Sequence, residues 1–206
     1  MPKSSREVTA HRREEIIDAC AELYSTMPYC EVTMKKIAEK TTFSRPSIYN
    51  YFETMGEIFL ALLSREYDLW TADLTALAET HERLTAEELS CGIAHSLFKR
   101  GTMLKIQSVN LYDIENTSRT ERLVEFKRCY FASVRALYRC LGKYRPDMTE
   151  EEMEAFCCVF FPYLQGVYPF TTPSGKQCAA MKEAGIPFRS CGLYEAVRAC
   201  VMRLLK

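Results

Sequence analysis

Ser44, Arg45, Ser47 and Asn50 are polar or charged residues gathered within one short stretch, with the large apolar Ile48 and Phe52 set among and behind them. On a helix this spacing leaves hydrogen-bonding side chains at the leading end and turns the apolar ones to the opposite side. Such residue types suit recognition of a duplex rather than bond making. The guanidinium of Arg45 matches the paired acceptors of a guanine edge, and the amide of Asn50 suits adenine or a phosphate oxygen. Tyr49 and Tyr51 flank Asn50 and offer hydroxyls to phosphates, while Pro46 and Ser47 line the same edge. Upstream, Thr33 can cap a short helix, so that the amides of its first turn and Lys35 face the phosphate backbone.

Other chemistries find no constellation. His11, His81 and His95 are not at ligand spacing, and the ten cysteines include no Cys-x-x-Cys pair, so neither a metal nor a cofactor is expected. No histidine and acid are paired on one helix face, no serine or cysteine nucleophile stands in a recognisable setting, and no glycine loop could cradle phosphate. An all-helical enzyme is the remote alternative.

The elements that must hold these residues follow from periodicity. Ile16, Ile17, Cys20, Leu23 and Tyr24 predict a first helix ending near Met27 and Pro28. Thr33 then caps a short helix through Ile37 and Ala38, and Ser44 caps another with Pro46 in its first turn. Two short helices with a first one behind them make a helix-turn-helix unit, whose second helix can lie in a major groove. A long amphipathic helix follows from Thr54 through Trp70 to Leu77. Thr85-x-x-Glu88, Ser118-x-x-Glu121 and Thr149-x-x-Glu152 fit capping boxes, each predicting a helix start. Breaks are expected at Gly101, over 113–117 and over 142–147. The segment 169–190 reads as irregular, with one short helix over 176–183, ahead of a last apolar helix.

With 206 residues, 48% of them hydrophobic, and only eight glycines and eight prolines, the chain is expected to be all-α. Lys plus Arg balance Asp plus Glu at 27 each, which excludes binding of polyanions by a chain-wide positive field. Residues 1–56 are balanced too, so a basic patch must be local: an N-terminal arm with Lys3 and Arg6, and Lys35, Lys36 and Arg45 around the proposed reading edge. No run of eighteen apolar residues occurs and none follows the N-terminal Met1, so no membrane partner and a cytoplasmic location are expected, with the cysteines reduced.

The stretches Ile16 to Cys20, Glu31 to Lys40, Phe43 to Phe52 and Glu57 to Leu62 resemble the tetracycline-repressor-like (TetR) family of transcriptional regulators, with Thr33, Ile37, Ala38, Ser44, Tyr49 and Phe52 in register together. The resemblance implies an N-terminal helix-turn-helix DNA-binding domain, here 1–54, and a larger helical effector-binding and dimerisation domain, here 55–206. It further implies a homodimer on a palindromic double-stranded operator, releasing it when a small-molecule effector binds. This chain departs from the family pattern at Pro28 and at Thr41-Thr42, where the family usually has glycine, and at Met55, where it commonly has a phosphate-contacting lysine. Gly56 is expected to bring backbone close to DNA or to loosen the junction after the reading unit.

The C-terminal part is rich in rings, which suits a largely apolar or aromatic effector, with Met103, Tyr112, Phe126, Tyr130 and Phe161 as the candidate pocket residues. Asp113 or Glu115 would instead select a cation, although surface salt bridging with Arg119, Arg122, Lys127 and Arg128 is the plainer reading. Phe156, Val159, Phe160 and Tyr163, with Leu193, Val197, Val201 and Leu204, are candidates for the dimer interface, and Pro162 and Gly166 predict a kink or a close helix approach. An alternative to a ligand is a redox-sensing regulator using Cys157-Cys158, or Cys178 and Cys191 beside Lys176 and Arg189.

Overall fold

The computed structural model describes residues 5–187 and 191–206. Lys3 and Arg189, and with them one end of the expected basic arm and one neighbour of the loop cysteines, lie outside the described residues. Ten α-helices appear among the described residues and no strand. In chain order they are α1 (Ser5–Thr26), α2 (Met34–Glu39), α3 (Arg45–Ile48), α4 (Met55–Thr80), α5 (Ala86–Phe98), α6 (Gly101–Asn116), α7 (Thr120–Tyr144), α8 (Glu150–Thr171), α9 (Gly175–Glu183) and α10 (Leu193–Leu204), with a 3-10 turn at Tyr29–Glu31.

Local chemistry sets the ends. Pro28 stands just before the 3-10 turn in extended conformation, where its missing amide hydrogen is not needed. Thr33 accepts from the Lys36 amide, as the sequence predicts. Ser44 occupies the N-cap of α3, but its hydroxyl meets that of Ser47 at 3.1 Å and makes no bond to the backbone. Both tight turns are made without glycine, since Gly185 alone among the described residues has a positive φ. Capping boxes form at Thr85 with Glu88 and at Thr149 with Glu152, and a further one at Ser174 with Gln177 starts α9.

The expected box at Ser118 and Glu121 is replaced by a different arrangement. Helix α6 runs on to Asn116, through most of the expected break, and Ser118 donates back to the Ile114 carbonyl at 2.7 Å. The amide ahead of α7, that of Arg119, donates instead to Glu57 of α4 at 3.2 Å.

The chain divides into two compact units. The first comprises residues up to Arg65 together with Val109–Cys129. Its core joins Ile16, Ile17, Cys20 and Tyr24 of α1, Ile37 of α2, Ile48 of α3, Phe52, and Ile58, Phe59, Leu62 and Leu63 of α4, all buried. Tyr24 meets Phe59 edge-on at 5.0 Å, and Arg65 ties α4 to Asp18 of α1 at 2.5 Å. Each short helix thus contributes its apolar face to a core that α1 and α4 complete, which two such helices could not bury alone.

The second unit comprises Glu66–Ser108 and Tyr130–Lys206. Trp70, Leu74, Ile93, Leu97, Met103, Leu137, Leu141, Phe160, Val197 and Val201 form its buried centre. The last carbonyls of α4 are satisfied by α7, where Tyr144 donates to Leu77 at 2.8 Å and Lys143 to Ala78 at 2.7 Å. Gly166 faces open space, so the close helix approach expected of it is not made within the protomer.

Candidate nucleic-acid interface

Helix α3 is four residues long, and only Ile48 of it is buried. Ile48 and Phe52 are completely enclosed, and Arg13 of α1 lies over the Phe52 ring at 5.1 Å, so the polar side of the helix is forced outward. Ser44, Arg45, Pro46, Tyr49 and Asn50 are exposed, while Ser47 and Tyr51 are half-buried. Thr33 and Lys35 are exposed on α2 and its cap. All nine candidate residues therefore sit in the first unit, and seven of them carry accessible side chains.

Within that edge the side chains already contact one another. Arg45 donates to the Tyr49 hydroxyl at 3.2 Å and lies over its ring at 5.9 Å, one helical turn away. A guanidinium parked on a phenol is ordered by a weak interaction of about 0.5–1 kcal/mol at an exposed site, small enough to be exchanged for a guanine edge. Tyr51 receives a bond from Arg12 at 3.3 Å, which raises the guanidinium above its ordinary pKa, and its ring lies 6.4 Å from Phe43. Arg12 thus supports the edge from thirty-nine residues upstream. Sequence spacing carries no sign of that contact.

The local bases differ in their freedom. Lys40 is engaged by Glu22 at 2.7 Å, and Lys36 rests its ammonium on the Met27 sulfur at 3.5 Å. Lys35 stays mostly in solvent, with Glu39 one turn away at 4.0 Å. Arg45 and Lys35 are therefore the bases of the edge least committed to protein partners.

Behind the edge, Glu57 fixes the start of α4. Its fully buried carboxylate accepts from the Glu53 amide at 2.9 Å, while Thr54 accepts from the Glu57 amide at 3.1 Å, a reciprocal N-terminal cap. Burial opposes its charge, but bonds from Arg119 and from the Glu53 and Arg119 amides outweigh that and hold the acid below its usual range. Gly56 is buried beside them, and a side chain there would run into the Thr117 hydroxyl and the Ile114 carbonyl. Close packing, rather than approach to DNA or a loosened junction, is what this glycine provides.

The C-terminal candidates divide. Tyr130 and Phe161 meet edge-on at 5.2 Å, and Met103 is buried in the same unit. Phe126 is buried in the first unit with Lys127 over its ring at 5.1 Å. Tyr112 is 81% exposed, so it is not a wall of an enclosed cavity in this structure. Glu115 is bound by Lys127 at 2.7 Å, which is salt bridging rather than a cation pocket. An open cleft of about 340 Å³ is lined by Pro169, Phe170, Pro173, Gln177, Ala180 and Met181, and another of about 460 Å³ by Phe131, Val134, Arg135, Tyr138 and Arg139. None of the five candidates lines either.

Of the dimer candidates, Phe156, Phe160, Val197 and Val201 are buried inside the protomer and offer a partner nothing. That is a correction to the sequence expectation: α10 packs this stripe against α5 and α8 of its own chain. Val159 is 53% exposed, and Tyr163, Leu193 and Leu204 are half-buried. Burial pushes the Cys157 thiol up to about 12, where little of the nucleophilic thiolate exists, and Cys158, Cys178 and Cys191 are exposed.

Comparison with known proteins agrees with this geometry. The model described as bacterial regulatory proteins, tetR family, matches residues 16–62, and that of a tetracyclin repressor-like C-terminal domain matches residues 64–206. No curated protein matches the chain. Among solved structures it is similar to the fatty acid degradation regulator FadR from Bacillus halodurans, at 16% identity and a TM-score of 0.61, covering 100% of this chain and 97% of that one. It is also similar to a TetR transcriptional regulator from Rhodococcus sp. RHA1, at 13% identity and a TM-score of 0.56 over 97% of both chains. A third is the TetR family repressor AlkX from Dietzia sp. strain DQ12-45-1b, implicated in biodegradation of n-alkanes, at 14% identity and a TM-score of 0.51, covering 94% of this chain and 97% of that one. At these identities what is shared is the fold.

Proposed function

The chain belongs to the tetR family of bacterial regulatory proteins, and from that premise we propose that it is a ligand-responsive transcriptional repressor. Two copies hold a palindromic operator through α3 of each, and a small, largely apolar or aromatic effector bound by residues 55–206 releases it. Residues 1–54 read the DNA. The observation that carries this reading is the outward polar edge of α3 standing on a buried Ile48 and Phe52.

The roles follow from the chemistry of each group. Arg45 and Asn50 read base edges, Tyr49, Tyr51 and Lys35 hold phosphates, and Ser44, Pro46 and Ser47 let the helix end approach the groove floor. The cap at Thr33 orients the amides of α2 toward the backbone of the duplex. Two-fold reading needs the second copy, for which Val159, Tyr163, Leu193 and Leu204 supply the surface that the protomer leaves uncovered. An effector that prefers a dimer with a different separation of its two α3 helices weakens operator binding by linkage.

Selection of DNA from a random pool on the immobilised protein tests this directly. The expected product is a palindrome whose half-sites are about one helical turn apart, roughly 34 Å, or a related multiple. A pool that yields no enriched sequence, or single unpaired sites, overturns the reading.

A further inference from the structure

Four rings of the second unit close into a cycle. Tyr67 lies 6.2 Å from Trp70, Trp70 lies 5.8 Å from Phe161, Phe161 lies 5.2 Å from Tyr130, and Tyr130 lies 5.5 Å from Tyr67. Three of the four contacts are edge-on, the geometry in which the positive rim of one ring meets the negative face of the next. Tyr67, Trp70 and Phe161 are buried, whereas Tyr130 is half-buried and gives the cycle a side toward solvent.

Gln107 of α6 projects its amide to this cycle, its nitrogen donating to the Tyr67 hydroxyl. The side chain is 6% exposed, and its Oε1 has no hydrogen-bond partner. A buried carbonyl acceptor without a donor is unfavourable, and the bond from the amide nitrogen to Tyr67 leaves that cost in place. Trp70 differs in this respect, since its indole N–H is satisfied by Ser96 at 3.0 Å. Thr71 Oγ1, Asp73 Oδ2 and Arg100 Nε of the same unit are also buried without a hydrogen bond, but Gln107 Oε1 belongs to the side chain that reaches the aromatic cycle.

We propose that the cycle of Tyr67, Trp70, Phe161 and Tyr130 with the Gln107 amide oxygen is a binding site for a neutral phenol-type compound, whose ring packs among these rings and whose hydroxyl donates to Oε1 of Gln107. Its role as the effector site rests on the ligand-responsive reading above. The ring walls select a flat apolar body. The five groups of the site are themselves uncharged and would pair no charge on a ligand, which favours a neutral compound. The lone acceptor selects a donor, and discrimination is strong where a missing partner leaves a buried polar atom unpaired.

Trp70 is the single tryptophan of the chain, so its emission reports on this site alone. The full-length protein is titrated with 4-ethylphenol and with 4-ethylanisole, which keeps the ring and lacks the donor. The expected result is a saturable change in Trp70 emission with the phenol binding roughly tenfold or more tightly. In Gln107→Met the two probes bind equally, at the wild-type anisole affinity. Equal binding to the wild-type protein, preference for the anisole, no binding of either, or discrimination that survives in Gln107→Met overturns the proposal. The unmodified chain carries the first comparison, so a variant that folds poorly leaves the test intact. A parallel measurement of operator affinity separates the two claims: a phenol that binds with the expected preference and leaves DNA binding unchanged supports the site and removes ligand-responsive repression.

Discussion

Arg119 closes a two-toothed pair on the buried carboxylate of Glu57, with Nε to Oε1 at 2.6 Å and Nη2 to Oε2 at 2.8 Å. Its remaining nitrogen reaches Glu53 at 2.8 Å, and Thr54 donates to the Thr117 carbonyl at 3.0 Å beside it. The start of α4, directly after the reading unit, is thereby fastened to the turn between α6 and α7 in the first unit. Paired geometry of this kind makes the guanidinium hard to replace, because lysine offers no matching fork.

Removing Arg119 leaves a buried carboxylate without its cation. Arg119→Met is expected to lower the unfolding midpoint by on the order of 5 °C, and Glu57→Leu combined with Arg119→Met by less. The pH dependence has a definite sign. Glu57 is held below the ordinary glutamate value of 4.5, so its contribution is complete above that value and is lost as pH falls through its lower folded pKa. The gap between wild type and Arg119→Met should therefore narrow as thermal scans are moved from neutral pH toward pH 3.

Gly56 offers a second check on the same junction. An added methyl would meet the Thr117 hydroxyl, itself fixed to the Asp113 carbonyl at 2.7 Å, and the Ile114 carbonyl at 3.1 Å. Gly56→Ala is expected to destabilise by about 1–2 kcal/mol even though alanine is the better helix former. Urea midpoints should recover in part when Thr117→Ala is added, since the first obstacle is then gone. A Gly56→Ala protein more stable than wild type would contradict the packing role.

Much of this was legible in the residues, and the limits have physical causes. The order and caps of α2 to α5 follow from Thr33, Pro46, Thr54 and Thr85, because capping is a local interaction within one turn. The edge of α3 was legible too, since burying Ile48 in the helix and Phe52 just after it leaves one side for the polar residues. The partner of Glu57 was not, because Arg119 is sixty-two residues away and substitutes for the cap that the spacing of Ser118 and Glu121 predicts. Gln107 went unread because nothing in its neighbourhood distinguishes a buried amide from a solvated one. The apolar stripe of α10 was read as an interface for the same reason: periodicity tells which face is buried and not by which chain.

The surface proposed for the second copy yields a third expectation. Val159→Glu places a charge on the exposed face of α8 and should shift the protein to monomer in sedimentation velocity with its helical signal unchanged. Val197→Ala, inside the protomer, should instead lower stability by about 1–3 kcal/mol and leave the association state alone. A Val159→Glu protein that remains dimeric would move the interface to another face.

Operator recognition turns on what α3 does at its outer edge, and the affinity of the selected operator measures that most directly. Fluorescence anisotropy of the labelled fragment should show Arg45→Ala with Tyr49→Ala weakening binding by roughly tenfold or more per half-site and losing sequence preference. Lys35→Ala should weaken all sequences alike and flatten the dependence on salt. Wild-type affinity and preference in a folded Arg45→Ala, Tyr49→Ala protein would contradict the account.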